Sequence, residues 1–590
     1  MKKLWVYLEQ YKGQSILAPL FKFLEAVFDL LVPVVVAKII DVGIANNDRS
    51  YIVRQFLILL LMAAIGLACS FTAQFFAARA SVGFATSLRQ AVFDHIQGLS
   101  FTELDTLGTD TLITRLSDDV NQVQNGLNMG LRLLLRSPFI VFGATILAFT
   151  INFRCALIFT ITIPVLFAVT FLIMLISIPL FKKVQNGLDH ITGLTRENLT
   201  GVRVIRAFCR EEQSVQEFEE KNTALTRLNE FVGRISALLN PLTYVLINIA
   251  TVFLIDQAAL QVNLGTMKQG QVVALYNYML QIIVELIKLA SLIITINKAL
   301  ACAERVSCVL DIQSSMQHPE STTVSGIDCN NSSQNIVEFK NVSFLYKGAG
   351  APILSDINFH VQKGQTVGII GGTGSGKSSL VSLIPRFYDV NQGSVLLDGH
   401  DVRDYTQKEL CEKVGIVQQK SILFQGSIRE NLQWGNENAS DHDLWEALTL
   451  AQAKEVVEGK PGELDFMLKQ NGQNLSGGQK QRLSIARTLV KKPEVLILDD
   501  SSSALDFATD AALRKAIRSL NGHTTTFLVS QRIAGIRQAD LILVLDNGQL
   551  VGQGSHDDLM KTCEVYREIY FSQFPEERKK QAQVQAGGEA

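Results

Sequence analysis

Hydrophobic residues are distributed unevenly along this chain of 590 residues, and they divide it into two halves. The first half contains six long apolar stretches, each near the ~20 residues that a helix needs to cross a lipid bilayer. They lie at 16–40, 52–76, 133–151, 155–180, 241–259 and 272–296. The pattern predicts a membrane domain of six transmembrane helices over residues 1–310.

The connections between these stretches alternate in length. Those at 41–51, 152–154 and 263–270 are short, whereas those at 77–132 and 181–240 are long, polar and helical in pattern. Lysines and arginines cluster before the first stretch and after the fourth, which is typical of the cytoplasmic side. We therefore expect both long loops, both termini and the second half of the chain to be cytoplasmic, with the helices in the cytoplasmic membrane.

The second half has the pattern of a soluble domain. Residues 311–335 are rich in Ser, Thr and Asn, as expected for a linker, and from residue 336 short β-rich runs alternate with helical ones. This alternation predicts an α/β domain with a mostly parallel sheet over 336–574. The last residues, 575–590, lack apolar periodicity and are predicted to be disordered.

Composition narrows the possible partners. Hydrophobic residues make up 47% of the chain and charged residues 19%, and the mean hydropathy is +0.21, which fits a protein that is part membrane-embedded and part soluble. The net charge of -2, with no basic stretch, excludes nucleic acid as a partner. The eight cysteines show no CxxC spacing, which favours reduced thiols over disulfides or zinc ligands.

A glycine-rich run lies between a strand-like TVGII and a helix-like SLVSLIPRF. This context predicts a phosphate-binding P-loop, in which backbone N–H groups and the helix N-terminus surround phosphate oxygens. Lys377 is placed to reach the β and γ phosphates of ATP, and Ser378 to ligate Mg²⁺. The predicted nucleotide-binding residues of this run are Gly371, Gly372, Thr373, Gly374, Ser375, Gly376, Lys377, Ser378 and Ser379.

Two further motifs follow. The apolar run VLILD ends at Asp499, as does a Walker B strand whose carboxylate organises the metal. Shortly before it stands LSGGQ, followed by KQRLSIARTL. This combination resembles the signature motif of ABC ATPases and implies that Ser476, Gly477, Gly478 and Gln479 contact the γ-phosphate of ATP held by a second subunit's P-loop.

The resemblance to ABC exporters extends over nearly the whole chain. It includes LAPLFKFLEAVFDLLVPVVVAKIIDVGIA, LITRLSDDVNQVQN, RENLTGVRVIRAFCREE and YREIYFSQF. It implies the type I ABC exporter fold, with Tyr346 stacking on adenine, Gln419 as the Q-loop residue that helps to hold Mg²⁺, and 503–506 as the D-loop. It also implies coupling helices near 109–114 and 201–208, the second reaching the partner's ATPase domain.

Three positions depart from the family pattern. Asp500 stands where efficient ABC ATPases have a glutamate, Gln531 stands where the family has the switch histidine, and Gln470 replaces the glutamate of a GERG-like segment. A shorter carboxylate and a neutral amide both weaken activation of the attacking water. The chain is similar to the degenerate-site subunit of heterodimeric bacterial multidrug exporters, which implies a partner half-transporter with the consensus glutamate and histidine.

Polar residues inside the apolar stretches are candidates for contact with a small-molecule substrate. Glu25 and Asp29 lie at i and i+4 of the first stretch; Asn277, Gln281 and Glu285 share a stripe of the sixth with Lys288; Asp256 lies in the fifth. Ionisable groups at membrane depth line a cavity or pair with one another, and both alternatives stay open here.

The cargo also stays open. The pattern fits an exporter of amphipathic or multidrug-type compounds, with lipid or peptide export, or an ATP-binding membrane regulator, as alternatives.

Overall fold

The computed structural model describes residues 2–319, 335–501, 504–520 and 524–577, so most of the predicted linker, Ser503 of the predicted D-loop and the end of the tail lie outside the described residues. The described residues form two compact units. The first comprises the residues up to Gln97 together with Thr109–Ile312, and the second comprises Gly98–Gly108 together with the residues from Gln313 onward.

The first unit is helical. It opens with a 3-10 helix, Lys2–Tyr11, and contains two π-helical turns, Ile39–Ile44 and Arg115–Asp119. In chain order the first eleven α-helices, of which α3 belongs to the second unit, are α1 (Lys12–Lys38), α2 (Arg49–Gln97), α3 (Phe101–Leu107), α4 (Thr109–Thr114), α5 (Val120–Leu133), α6 (Arg136–Ile151), α7 (Phe153–Thr200), α8 (Val202–Ala207), α9 (Glu211–Ala237), α10 (Leu239–Asn263) and α11 (Gln269–Asp311).

Five helical runs of the described chain are long and apolar enough to cross a membrane, and they contain the second to sixth predicted spans. The first predicted span also forms a helix, α1, but every stretch of 18 residues in it includes Lys22, Glu25 and Asp29. The helix α1 therefore differs from the other spans in its number of charged residues, although α1 packs closely along α2 and α11.

Small residues allow the helices of this unit to approach closely. The buried side chains between α1, α6 and α11 include Ala26, Ala144 and Ala274. A Cβ atom on Gly126 of α5 would lie 2.2 Å from the Cβ of Ala299 on α11, so only glycine fits this crossing. Such contacts are typical of membrane helices, which associate by packing because lipid provides no hydrophobic driving force.

The second unit contains twelve strands in chain order. They are β1 (Asn335–Phe344), β2 (Leu354–Gln362), β3 (Thr366–Gly371), β4 (Gln392–Leu397), β5 (His400–Asp401), β6 (Val414–Val417), β7 (Gly426–Ser427), β8 (Met467–Leu468), β9 (Val495–Asp499), β10 (Thr525–Val529), β11 (Leu541–Asp546) and β12 (Gln549–Gly554). A six-stranded sheet has the order β12-β11-β3-β10-β9-β6, parallel except at β12. The predicted α/β domain with a mostly parallel sheet is confirmed; a four-stranded antiparallel sheet, β2-β1-β4-β5, was not predicted.

Ten further α-helices belong to the described part of the second unit. They are α12 (Lys377–Ser382), α13 (Gln407–Lys413), α14 (Ile428–Gln433), α15 (Asp441–Leu450), α16 (Lys454–Glu458), α17 (Gly477–Val490), α18 (Phe507–Arg518), α19 (Ile533–Ile536), α20 (His556–Thr562) and α21 (Glu564–Gln573). Side chains such as Val367, Ile369, Ile497 and Phe527 on β3, β9 and β10 are fully buried, as expected for parallel strands covered on both faces.

The parallel register brings three chain segments to one edge of the six-stranded sheet. Val529 at the end of β10 lies opposite Asp499 at the end of β9, and β3 pairs with β10 on its other side. The segments that follow these strands therefore emerge side by side at their carboxyl ends, where ligands bind in open α/β sheets.

The segment Gly98–Gly108 packs within the second unit. The rings of Phe101 and Phe387 lie 4.6 Å apart, and the Tyr388 hydroxyl donates a hydrogen bond to Asp105 over 2.6 Å. Burial raises the pKa of Tyr388, and the hydrogen bond and negative charge of Asp105 raise it further. The predicted first coupling helix near 109–114 is wrong in position, because α4 belongs to the first unit and α3 is the helix that joins the second.

Candidate nucleotide site

The P-loop forms one wall of a cavity of about 270 Å³ at this sheet edge. Gly374 and Gly376 have φ values of +81° and +93°, which glycine adopts without strain. The Lys377 side chain is 8% exposed, and its Nζ donates to the carbonyl oxygens of Gly371 at 2.9 Å and Gly372 at 2.6 Å. Burial lowers the pKa of Lys377, while the charges of Asp500 and Asp499 oppose that shift.

A hydroxyl and two acidic side chains face Lys377 across the cavity. The Ser378 Oγ donates to Asp499 Oδ1 over 3.0 Å, and the Gln419 Nε2 lies 3.3 Å from Asp500 Oδ2. Burial raises the pKa of Asp499, and the hydrogen bond from Ser378 partly offsets it. The adjacent hydroxyl and carboxylate oxygens are the hard donors that Mg²⁺ prefers, so the residues present fit this ion.

Asp500 occupies an unusual backbone conformation directly after β9. Its φ is +45°, and its N–H donates to the Val529 carbonyl over 3.1 Å, which fixes this residue to the end of β10. Aspartate tolerates this left-handed region better than a longer side chain does. Burial raises the pKa of Asp500, and the hydrogen bond from Gln419 lowers it in part.

Gln531 lines the same cavity from the segment after β10, next to Ser530. The Ser530 Oγ accepts a hydrogen bond from the Arg532 N–H over 3.0 Å, which turns the chain tightly before α19. Six of the nine residues predicted from the glycine-rich run thus line one cavity together with Asp499, Asp500, Gln419 and Gln531, whereas Gly371, Gly372 and Ser375 do not line it. Its wall also includes Ile353, Val529 and Ser530, which have no motif of their own in the sequence.

Tyr346 lies beside this cavity rather than in its wall. Its hydroxyl is 3.0 Å from the Oγ of Ser379, which does line the cavity, and its ring packs edge-on against Phe344 and Tyr388. One face of an aromatic cluster therefore borders the P-loop, in the region where the resemblance places adenine.

The signature residues lie on another surface of the second unit. Ser476 caps α17: its Oγ accepts from the Gln479 N–H at 3.3 Å, and its own N–H donates to Gln479 Oε1 at 3.0 Å. Ser476 and Gly477 are exposed, while Gly478 packs close to Ala504. Gln470 is exposed on the turn before them. None of these residues lines the P-loop cavity.

Charged side chains in the membrane unit form a network that sequence reasoning found only in part. Arg136 of α6 lies 2.9 Å from Asp29, 3.3 Å from Glu285 and 3.8 Å from Glu25. Lys22 pairs with Glu25 at 2.6 Å.

Glu285 has two further partners. It pairs with Lys288 at 2.9 Å, the pairing that the sequence left open as an alternative, and it accepts a hydrogen bond from Ser137 over 2.7 Å. Lys22 and Arg136 were not predicted from the sequence, because a single basic residue in a helix does not indicate which acidic residue it will pair with.

The other polar candidates of the membrane unit take separate positions. Gln281 donates to the backbone carbonyl of Asp29 over 3.2 Å, and Asn277 is half-buried one turn away on α11. Asp256 is exposed on α10 and is absent from the network around Arg136. The Asp29 side chain is 42% exposed, compared with 12% for Glu25 and 4% for Glu285, so it is the open carboxylate of the three.

Comparisons with known proteins agree with this organisation. The family model "ABC transporter transmembrane region" matches residues 15–286, and the model "ABC transporter" matches residues 354–503. The chain is 34% identical over 98% of its length to the ABC transporter ATP-binding protein YfiB of Bacillus subtilis, covering 99% of that protein. An ABC transporter ATP-binding protein of Mycobacterium tuberculosis is also 34% identical, over 96% of this chain and 97% of the relative.

More distant similarities fit the same architecture. The ATP-dependent lipid A-core flippase of Escherichia coli is 27% identical over 97% of both chains. A solved structure of a bacterial Atm1-family ABC exporter with ATP bound has a TM-score of 0.77 at 24% identity, covers 95% of this chain and 98% of its own, and supports the fold. The type I ABC exporter fold and the ATP-binding domain predicted from the sequence are confirmed. This multi-pass membrane protein belongs to the ABC transporters, as a half-transporter of the exporter type that couples an ATPase domain to its transmembrane region.

Proposed function

We propose that this chain is one half of a heterodimeric exporter of small amphipathic compounds, and that its own P-loop site retains ATP while its signature completes a faster site on the partner. The observation that carries the proposal is the position of Asp500 and Gln531 in the cavity that holds Lys377. Both residues that would activate water in an efficient ABC ATPase are replaced in one site.

Asp500 is poorly suited to act as a general base. Its carboxylate is one methylene shorter than a glutamate, and the backbone hydrogen bond to Val529 keeps the chain from shifting to compensate. A group displaced by about 1 Å from its working geometry loses roughly a hundredfold in rate. Gln531 offers a hydrogen bond to the γ-phosphate but no positive charge. Binding is thereby retained and hydrolysis is slowed.

The signature surface has no such defect. Ser476 and the exposed N-terminus of α17 present a hydroxyl, backbone N–H groups and a positive helix dipole, which together suit a γ-phosphate. A homodimer would combine two slow P-loops, whereas a partner with the consensus glutamate and histidine would use this signature productively. In both sites ATP would bind with Mg²⁺, held here by Ser378, Asp499 and Gln419, and the ion would neutralise charge on the phosphates.

Coupling to transport would run through two short helices. α3 packs on the aromatic cluster at Phe387 and Tyr388, close in sequence to the P-loop helix. α8 and the residue that follows it expose apolar side chains at the tip of the α7–α9 hairpin, with Val204 60% and Phe208 73% exposed. We expect α8 to dock on the partner's ATPase domain. Closure of the two domains on ATP would then move the membrane helices as rigid bodies, in the plasma membrane with the ATPase domains in the cytoplasm.

The geometry of the charged network reduces the number of carboxylates that we propose as substrate contacts. Three basic and three acidic side chains pair with one another, so Glu25 and Glu285 stabilise the packing of the helices and are not proposed as substrate contacts. Asp29, which is more open, is the proposed contact for a cationic group of a substrate. Lipid export is a second candidate, because the lipid A-core flippase relative aligns with nearly the whole chain.

The test begins with the partner. A neighbouring gene encoding a half-transporter with a glutamate after Walker B and a histidine at the switch is expected to yield a stable pair on co-expression. Replacing the partner's glutamate by glutamine should abolish the pair's ATPase activity and drug-dependent export from inverted vesicles. Fast ATP turnover by this chain purified alone would contradict the proposal, and ATP binding without any cargo movement would favour a regulator.

A further inference from the structure

The C-terminal helix α21 makes a direct connection to the segment that carries Gln531. The Gln573 Nε2 donates to the Gln531 carbonyl over 2.7 Å, and the Gln573 Oε1 accepts from the Ile533 N–H over 2.9 Å. One side-chain amide thus satisfies a backbone acceptor and a backbone donor two residues apart. We propose that Gln573 is a positioning residue for the γ-phosphate switch of this chain, an inference that rests on the proposed role of Gln531.

The rest of α21 anchors this amide. Tyr566 is fully buried and Tyr570 is 3% exposed, in a cluster with Ile533, Ile536 and side chains of β11. Gln573 itself is exposed, so its hydrogen bonds contribute little to the packing of the helix. The helix is therefore a rigid base from which a single amide holds the backbone of the switch segment.

The held backbone determines where the Gln531 side chain can reach. The strand β10 fixes residues up to Val529, and the Ser530 hydroxyl fixes the Arg532 N–H. The Gln531 carbonyl between them accepts its hydrogen bond from the Gln573 amide. A shift of the backbone at 531–533 would carry the Gln531 side chain away from the cavity. The two hydrogen bonds of Gln573 oppose this shift by holding the backbone at residues 531 and 533.

The functional consequence concerns recognition of the third phosphate. A correctly held Gln531 contributes a hydrogen bond to ATP that ADP cannot use. Loss of Gln573 should therefore lower the affinity of this site for ATP and leave the affinity for ADP unchanged. A loss of one hydrogen bond in this position corresponds to roughly a fivefold decrease in the ratio of ATP to ADP affinity.

The experiment uses the full-length chain in lipid nanodiscs, with Mg²⁺ and fluorescent ATP and ADP analogues measured at equilibrium. Gln573→Glu keeps the acceptor for Ile533 and loses the donor to Gln531, while Gln573→Met keeps the shape and loses both. Both variants should lower the ATP to ADP affinity ratio by roughly fivefold. Ser572→Ala, which removes an exposed hydroxyl bonded within α21, is the matched control and should change nothing.

Gln531→Ala separates this inference from the proposed function. If it lowers the affinity ratio and the Gln573 variants do not, the positioning role is wrong and the role of Gln531 stands. If it leaves the ratio unchanged, the role of Gln531 is wrong, and the positioning role fails with it. If the Gln573 variants weaken ATP and ADP equally, or lower the thermal stability of the ATPase domain, Gln573 is a structural anchor only and the inference is overturned.

Discussion

The P-loop cavity and the signature surface of this chain are built in opposite ways. In the cavity nearly every polar group has a partner within the chain: Lys377 binds the carbonyls of its own loop, Ser378 binds Asp499, and Gln419 binds Asp500. At the signature, Ser476 and Gly477 are exposed, and Ser476 makes its hydrogen bonds locally, with Gln479 of the same helical turn.

This difference parallels how closely the two sets of motifs in this chain match the family pattern. Two of the three departures from the family pattern, Asp500 and Gln531, lie in the P-loop cavity. The third, Gln470, precedes the signature, in which LSGGQ itself is unchanged. Under the proposed function, the exposed signature serves the ATP site of the partner subunit rather than the cavity of this chain. The comparison therefore predicts that substitutions at the signature cost the assembled exporter more than substitutions in its own P-loop site.

The largest effect is expected for Gly478→Asp. The new carboxylate would face the partner's γ-phosphate, and its Cβ would lie 3.0 Å from the Ala504 carbonyl oxygen. Repulsion of the phosphate at a water-excluded site should lower the ATPase rate of the purified pair by about a hundredfold. The rate is measured by phosphate release, and unchanged ATP binding at this chain's own P-loop is the control. A loss below about threefold would show that the signature is not used for catalysis.

A smaller effect is expected for Lys377→Ala. Removing the buried ammonium should reduce ATP affinity at this chain's site by more than about tenfold, because a charge-assisted hydrogen bond to phosphate contributes roughly 1.5–3 kcal/mol. The pair's ATPase rate should fall less than in Gly478→Asp, since the proposed function assigns hydrolysis to the other site.

Lys363→Ala removes a lysine of the same charge that is 58% exposed and lies 3.9 Å from Glu494. It should leave both ATP affinity and the ATPase rate unchanged. Equal losses of ATPase activity in Lys377→Ala and Gly478→Asp would contradict the division of labour between the two surfaces.

The sequence predicts local features of this molecule much better than its distant pairings. Gly374, Lys377 and Ser378 could be assigned because a P-loop is contiguous and its neighbouring strand and helix are visible in the pattern. Arg136 could not be assigned, because its three acidic partners lie on two other helices. Gln573 lies 42 residues from Gln531, and its amide looks like any exposed glutamine in the sequence.

The position of α3 illustrates the same limit for helix boundaries. Both α3 and α4 have the polar pattern of a cytoplasmic loop, so the periodicity of 77–132 offers no choice between them. The contact of Phe101 with Phe387 distinguishes α3 from α4. The two rings are 286 residues apart in the chain, so no local sequence signal indicates that they meet. Contacts of this kind arise from packing, and they define the helix that joins the ATPase unit.

The smallest effect is expected for Asp500→Asn, and this small effect distinguishes the two sites most sharply. In an efficient site the corresponding carboxylate activates water, and its loss abolishes turnover. Here the pair's ATPase rate should change less than about twofold, because the proposal gives Asp500 no part in activating water and an amide preserves its left-handed backbone at φ +45°. The matched control is the corresponding carboxylate-to-amide change at the partner, the replacement of its glutamate by glutamine. A loss comparable to that control would place catalysis in this chain's own site and would remove the reason for a heterodimer.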